Sequence, residues 1–84
     1  MVEIVKQIKK FFEENFMIKW NETFSEKDSL LENGIIDSTG VLELVSFIEQ
    51  IYKIKIADDG LIPENLDSLE NIGNFIEKKL NHPT

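Results

Sequence analysis

Few side chains of this 84-residue chain have the type and spacing for chemistry. It has no cysteine, which excludes disulfides, thiolate zinc sites and a thiol nucleophile. Its one histidine, His82, stands two residues before Thr84 and leaves no His-based metal cluster, triad or general base. Glu43 and Glu49 are the carboxylate pair to weigh first. Six residues apart on one helix, their heads would lie about 9 Å apart along its axis. They fall on a convex exposed surface, where neither burial nor a close neighbour would tune them for acid–base work. Asn33-Gly34 and Asp58-Asp59-Gly60 invite a calcium-loop reading, but such a loop needs a glutamate six residues after its glycine. Positions 40 and 66 hold Gly and Leu, so both segments read as ordinary turns. The four glycines are isolated and make no phosphate-cradling pattern. No enzyme is expected from this inventory. What remains is Asp37-Ser38, which in isolation is a helix cap ahead of an amphipathic run.

The elements that position Ser38 follow from hydrophobic spacing. Val2, Val5, Ile8 and Phe12, widened by Ile4 and Phe11, predict an amphipathic helix ending near Asn15. Residues 17–33 read as a long connection from which Leu30 and Leu31 pack inward, closed by an Asn33-Gly34 turn with Gly34 left-handed. A second helix starts at Asp37 or Ser38. On a wheel, Val41, Leu44, Val45, Ile48, Ile51 and Tyr52 share the inner face, while Ser38, Leu42, Glu43, Ser46 and Glu49 share the outer one. Ile54 and Ile56 alternate around Lys55, but the stretch is too short for a strand and reads as a connection dipping into the core. Residues 61–66 predict one short helical turn. Leu69, Ile72, Ile76 and Leu80 mark a last helix capped by Asp67 or Ser68, and His82-Pro83-Thr84 reads as a frayed end. The expected fold is all-α: a single small four-helix bundle of three main helices and a short third one.

Charge narrows the partners. Sixteen acids against nine lysines give −7. Residues 22–49 alone hold seven acids and one lysine. Nucleic-acid binding needs a basic footprint, and none is present. Trp20 and the six phenylalanines therefore read as packing residues. The apolar runs are too short to span a membrane, and with no export signal a cytoplasmic protein is expected. The acidic middle is suited either to solubility or to docking basic partners.

Residues 34–52 read Gly-Ile-Ile-Asp-Ser-Thr-Gly-Val-Leu-Glu-Leu-Val-Ser-Phe-Ile-Glu-Gln-Ile-Tyr. This string resembles the phosphopantetheine attachment segment of acyl carrier proteins, with Asp37-Ser38 opening the second helix, Leu42-Glu43-Leu44-Val45 following and Tyr52 as the terminal aromatic. Pro63-Glu64-Asn65-Leu66-Asp67-Ser68-Leu69, with Ile72 and Phe75-Ile76, is similar to the segment joining the third and fourth helices of stand-alone carriers. The resemblance spans essentially the whole chain.

The resemblance implies a carrier without catalysis of its own. A transferase would attach a 4′-phosphopantetheine arm from coenzyme A to Ser38 through a phosphodiester, and the arm's thiol would hold an acyl group as a thioester. A helix N-terminus suits such a phosphate. Asp37, Leu42, Glu43 and Glu49 would form the docking face, with Leu42 the central apolar contact. Partners would be the phosphopantetheinyl transferase, an acyl or aminoacyl ligase, and a ketosynthase or acyltransferase, each meeting a monomer. Leu44, Ile48, Ile56, Leu66 and Leu69 would either line a cargo cleft or simply fill the core. Thr39, Gly40 and Ser46 depart from the fatty-acid carrier pattern, and the Asp-Ser-x-Gly start is similar to D-alanyl and other aminoacyl carriers. Two alternatives therefore stand beside the acyl carrier: an aminoacyl carrier loaded by an adenylating ligase, and an adaptor bundle with Ser38 unmodified.

Overall fold

The computed structural model describes residues 2–20, 23–57 and 60–81. They form α1 (Val2–Phe16), α2 (Ser38–Tyr52), α3 (Pro63–Leu66) and α4 (Leu69–Asn81), with no strand among the described residues. The turn expected at Asp58-Asp59 and the frayed end at His82-Pro83-Thr84 lie outside them. The radius of gyration, 12.0 Å, is that of a compact chain of this length.

Each helix contributes one apolar stripe. Ile4, Val5, Ile8, Phe11 and Phe12 are buried from α1, Leu44, Val45 and Ile48 from α2, and Leu69, Ile72 and Ile76 from α4. α4 is the central element, packing against both α1 and α3. Ile8, Phe12, Leu30, Leu44, Ile48, Leu69, Ile72 and Ile76 are sealed from solvent, each stabilising the fold by about 1.5–3 kcal/mol before entropy is counted. Aromatic rings extend this core at one end: Phe11 stacks on Phe47 with centroids 4.3 Å apart, and Trp20 lies between Phe12 and Phe24.

The stripes are shorter than the periodicity predicts. Val2, Ile51 and Leu80 are exposed, as is Leu31, so only Leu30 of its pair enters the core. Val2 and Leu80 sit in the first and last turns of their helices, where less of the bundle is available to cover them. Phe47 rather than Ile51 stacks on Phe11, and Ile51 is left lining the open groove beside them. Ile56 is buried and Ile54 packs partly against the core, as expected of a non-strand connection.

The long α1–α2 connection is held by specific bonds. Leu30 N–H donates to the Asp67 carbonyl at 2.7 Å and Glu70 N–H to the Glu26 carbonyl at 2.9 Å. Asp67 Oδ1 accepts from Leu31 N–H at 2.8 Å and Oδ2 accepts from the Ser29 hydroxyl at 2.6 Å. Asp67 is thus a clasp between the connection and the α3–α4 junction. Ser68 does the capping of α4, its Oγ accepting from Asn71 N–H at 3.1 Å.

Candidate functional site: the start of α2

The chain enters α2 through a hydrogen-bonded turn. Gly34 is left-handed, with φ of 70°, as the Asn-Gly signal requires. The Leu30 carbonyl accepts from both Ile35 and Ile36 N–H, at 2.9 and 3.4 Å, and Ile36 is buried. Asp37 follows in extended geometry (φ −119°, ψ −176°) as the N-cap. Its Oδ1 accepts from Gly40 N–H at 2.8 Å, and its carbonyl accepts the first helical bond, from Val41 N–H, at 3.0 Å.

Of the two caps the sequence offered, Asp37 performs the task. Ser38 is the first residue of the helix, and both Ser38 and Thr39 are exposed. Helix geometry gives the Ser38 and Thr39 amides no intrahelical acceptor, and they stand at the positive end of the α2 dipole. A hydroxyl at this place can be reached from solvent, and a phosphate esterified to it would meet unpaired donors.

Gly40 is the residue whose importance sequence reasoning missed. There it counted as a departure from the fatty-acid carrier pattern, and a glycine inside a helix costs about 1 kcal/mol relative to alanine. It is in fact buried, and a β-carbon placed on it would lie 2.7 Å from Ile36 Cγ1 and 3.4 Å from Phe16 Cε1. The end of α1 and the turn before Asp37 both close against the first turn of α2, and glycine is what lets them approach.

On the outer face, Leu42 is 61% exposed and Glu43 lies beside it in solvent, both within two turns of Ser38. Glu49 differs from the free surface acid expected of it. It is half-buried, and its Oε2 accepts from Ile56 N–H at 2.8 Å. This bond is possible because Lys53 ends α2 in the left-handed region (φ 54°, ψ 45°) and folds the chain back along the helix. Asp37, Ser38, Leu42 and Glu43 thus share one exposed surface, whereas Glu49 straps the helix end to the connection that follows.

Of the two roles open to them, Leu44, Ile48, Ile56, Leu66 and Leu69 take the packing one, all being buried in the core. An apolar cleft of about 100 Å³ is lined by Leu31, Val41, Leu61, Ile62, Leu66 and Asp67, meeting α2 at Val41. Only Leu66 is common to the two sets. Sequence reasoning could have reached Val41, which lies one turn beyond Ser38. The Leu31–Asp67 wall depends on bonds between residues 36 positions apart.

Among the described residues, no group of three His, Cys, Asp or Glu side chains is placed to hold a metal ion, and no helix is long and apolar enough to cross a membrane. No family model matches the chain, and neither does any curated protein or solved structure.

Proposed function

We propose that the chain is an acyl carrier protein, with a 4′-phosphopantetheine arm on the Ser38 hydroxyl holding its cargo as a thioester. The observation that carries this reading is the division of labour between Asp37 and Ser38. The ordinary explanation of a serine here is capping, and Asp37 already caps through its bond to Gly40 N–H. The residues present fit the arm: an exposed hydroxyl, two amides without helical acceptors and a helix dipole that favours an anion. When bound, the arm would supply the chain's only thiol. The chain's own contribution is to fix the serine, keep its surroundings open and offer Leu42 and Glu43 to partners. An exposed acid speeds encounter with basic partners while permitting fast release.

A phosphopantetheinyl transferase, a loading ligase, and a ketosynthase or acyltransferase are the partners this reading requires, in the cytoplasm. A second reading, an aminoacyl carrier loaded by an adenylating ligase, rests on the resemblance of the Asp37-Ser38-Thr39-Gly40 start to such carriers. The test is intact mass after incubation with coenzyme A and a broad-specificity phosphopantetheinyl transferase, alongside Ser38→Ala. One added arm on the native protein and none on the variant is expected. No addition to a folded protein by an active transferase would favour the unmodified adaptor.

A further inference from the structure

Of the chain's seven asparagines, only Asn33 is followed by glycine. That pairing carries a chemistry of its own. The backbone nitrogen after an asparagine can attack the asparagine's side-chain carbonyl, and glycine, with no β-carbon, obstructs the approach least. Asn33 and Gly34 are both exposed, so water reaches them. A β-carbon placed on Gly34 would meet nothing within 4 Å, which leaves room for a ring to close.

The same two residues are tied in the folded turn. The Ser29 carbonyl accepts from Asn33 N–H at 3.2 Å and from Asn33 Nδ2 at 2.6 Å. Gly34 N–H, the attacking group, donates to the Leu31 carbonyl at 3.2 Å. Nucleophile and leaving group are thus each held by a bond that must break first. Ser29 is itself fixed, its Oγ accepting from Glu32 N–H at 3.0 Å and donating to Asp67 Oδ2 at 2.6 Å. The turn therefore reacts from a locally open state, in which Asn33 and Gly34 have parted from these partners.

We propose that Asn33 is a site of spontaneous deamidation, restrained by the bond between Ser29 and Asp67. In the open turn Gly34 N gives its proton to hydroxide and attacks Asn33 Cγ. The new N–Cγ bond forms as the Cγ–Nδ2 bond breaks, and the departing nitrogen takes a proton from water and leaves as ammonia. Water then opens the resulting succinimide at either carbonyl. Opening at the side-chain carbonyl leaves an aspartate. Opening at the backbone carbonyl leaves an isoaspartyl link, with an extra methylene in the main chain. Water is the only co-reactant. Either product loses the Nδ2 donor to Ser29 and gains a negative charge next to Glu32. The change falls in the turn that delivers Ile36 to Gly40, so it loosens the entry to α2.

The test ages the full chain at mildly alkaline pH and follows the tryptic peptide 28–53, in which Asn33 is the only asparagine. That peptide should gain the mass of an NH2-to-OH exchange. An isoaspartyl methyltransferase with S-adenosylmethionine should methylate it, and Asn33→Gln should abolish both signals. The folded chain should react roughly tenfold more slowly than the same chain in guanidinium, a comparison that needs no variant. Ser29→Ala, with its helices verified by circular dichroism, should react about fivefold faster than the native protein. Absence of the mass gain from the aged folded chain would overturn the proposal. So would equal rates with and without guanidinium, or an unchanged rate in folded Ser29→Ala. The readout at Asn33 does not depend on an arm at Ser38, so this inference and the carrier reading fail separately.

Discussion

Ile36 and Gly40 meet across the entry to α2 so closely that a β-carbon on Gly40 would stand 2.7 Å from Ile36 Cγ1. Two effects oppose each other in Gly40→Ala. Helix propensity favours alanine by about 1 kcal/mol, while forcing a methyl into a packed site costs about 1–3 kcal/mol. Ile36 cannot turn aside freely, because it is buried and its amide is directed at the Leu30 carbonyl. Packing should win, and Gly40→Ala should lower the urea midpoint. Adding Ile36→Ala should make the two losses less than additive. A stabilised Gly40→Ala variant would refute the close approach.

Removal of the cap at Asp37 should cost about 1 kcal/mol, because Gly40 N–H loses its acceptor. Asp37→Asn should restore most of that stability in thermal melts. The same pair of variants should then be compared for arm transfer to Ser38. If Asp37 serves only as a cap, Asn will rescue both properties. If its charge also contacts the transferase, Asn will rescue the melt but not the transfer rate.

Glu43 and Glu49 should separate in the opposite way. Glu49→Ala deprives Ile56 N–H of its partner and should destabilise the fold by about 1 kcal/mol. Glu43→Ala touches no such bond and should leave stability within about 0.5 kcal/mol. Transfer of the arm should slow in Glu43→Ala and in Leu42→Ala, and the Glu43 effect should shrink at high salt. Equal melting losses for both glutamates would contradict the strap.

Burial pushes the Tyr52 phenol above its ordinary value of 10.0. Its hydroxyl donates to Gln7 Oε1, joining α2 to α1. With the folded value raised, the stability linked to this proton is fully present below about pH 10 and is lost as pH rises through the folded value. Stability measured against pH should therefore fall in that alkaline window, and Tyr52→Phe should flatten the fall. Tyr52 is the chain's one tyrosine, so phenolate absorbance reports its titration directly.

The helices were legible because apolar spacing of three and four residues survives in α1, α2 and α4, and Gly34 and Leu30 took their expected places. The short turn at Pro63–Leu66 was legible from local signals as well. What escaped was non-local. A wheel centred on Leu44, Val45 and Ile48 does not reveal that Phe47 stacks on Phe11, nor that Ile51 is left at the rim. Glu49 stands on a solvent-facing position of that wheel, and its bond to Ile56 arises only because the chain doubles back at Lys53. Gly40 read only as a feature of the carrier pattern because its packing partners, Ile36 and Phe16, come from outside the helix. Asp67 read as one of two caps, since nothing near it in sequence points to Ser29 and Leu31.

The bond from Leu31 to Asp67 has a kinetic meaning as well. The Leu31 side chain is 40% exposed, yet its amide is held by a carboxylate from 36 residues further along. An amide in a surface connection ordinarily exchanges its hydrogen by local fraying. This one is released only when the connection parts from the α3–α4 junction. Its exchange rate should therefore follow that of Leu30, whose amide is bound to the same residue, rather than that of Glu32 two positions on, bonded only locally to Ser29 Oγ. One slow-exchanging proton on the outside of the molecule would then report the opening of the whole segment that leads into Ser38.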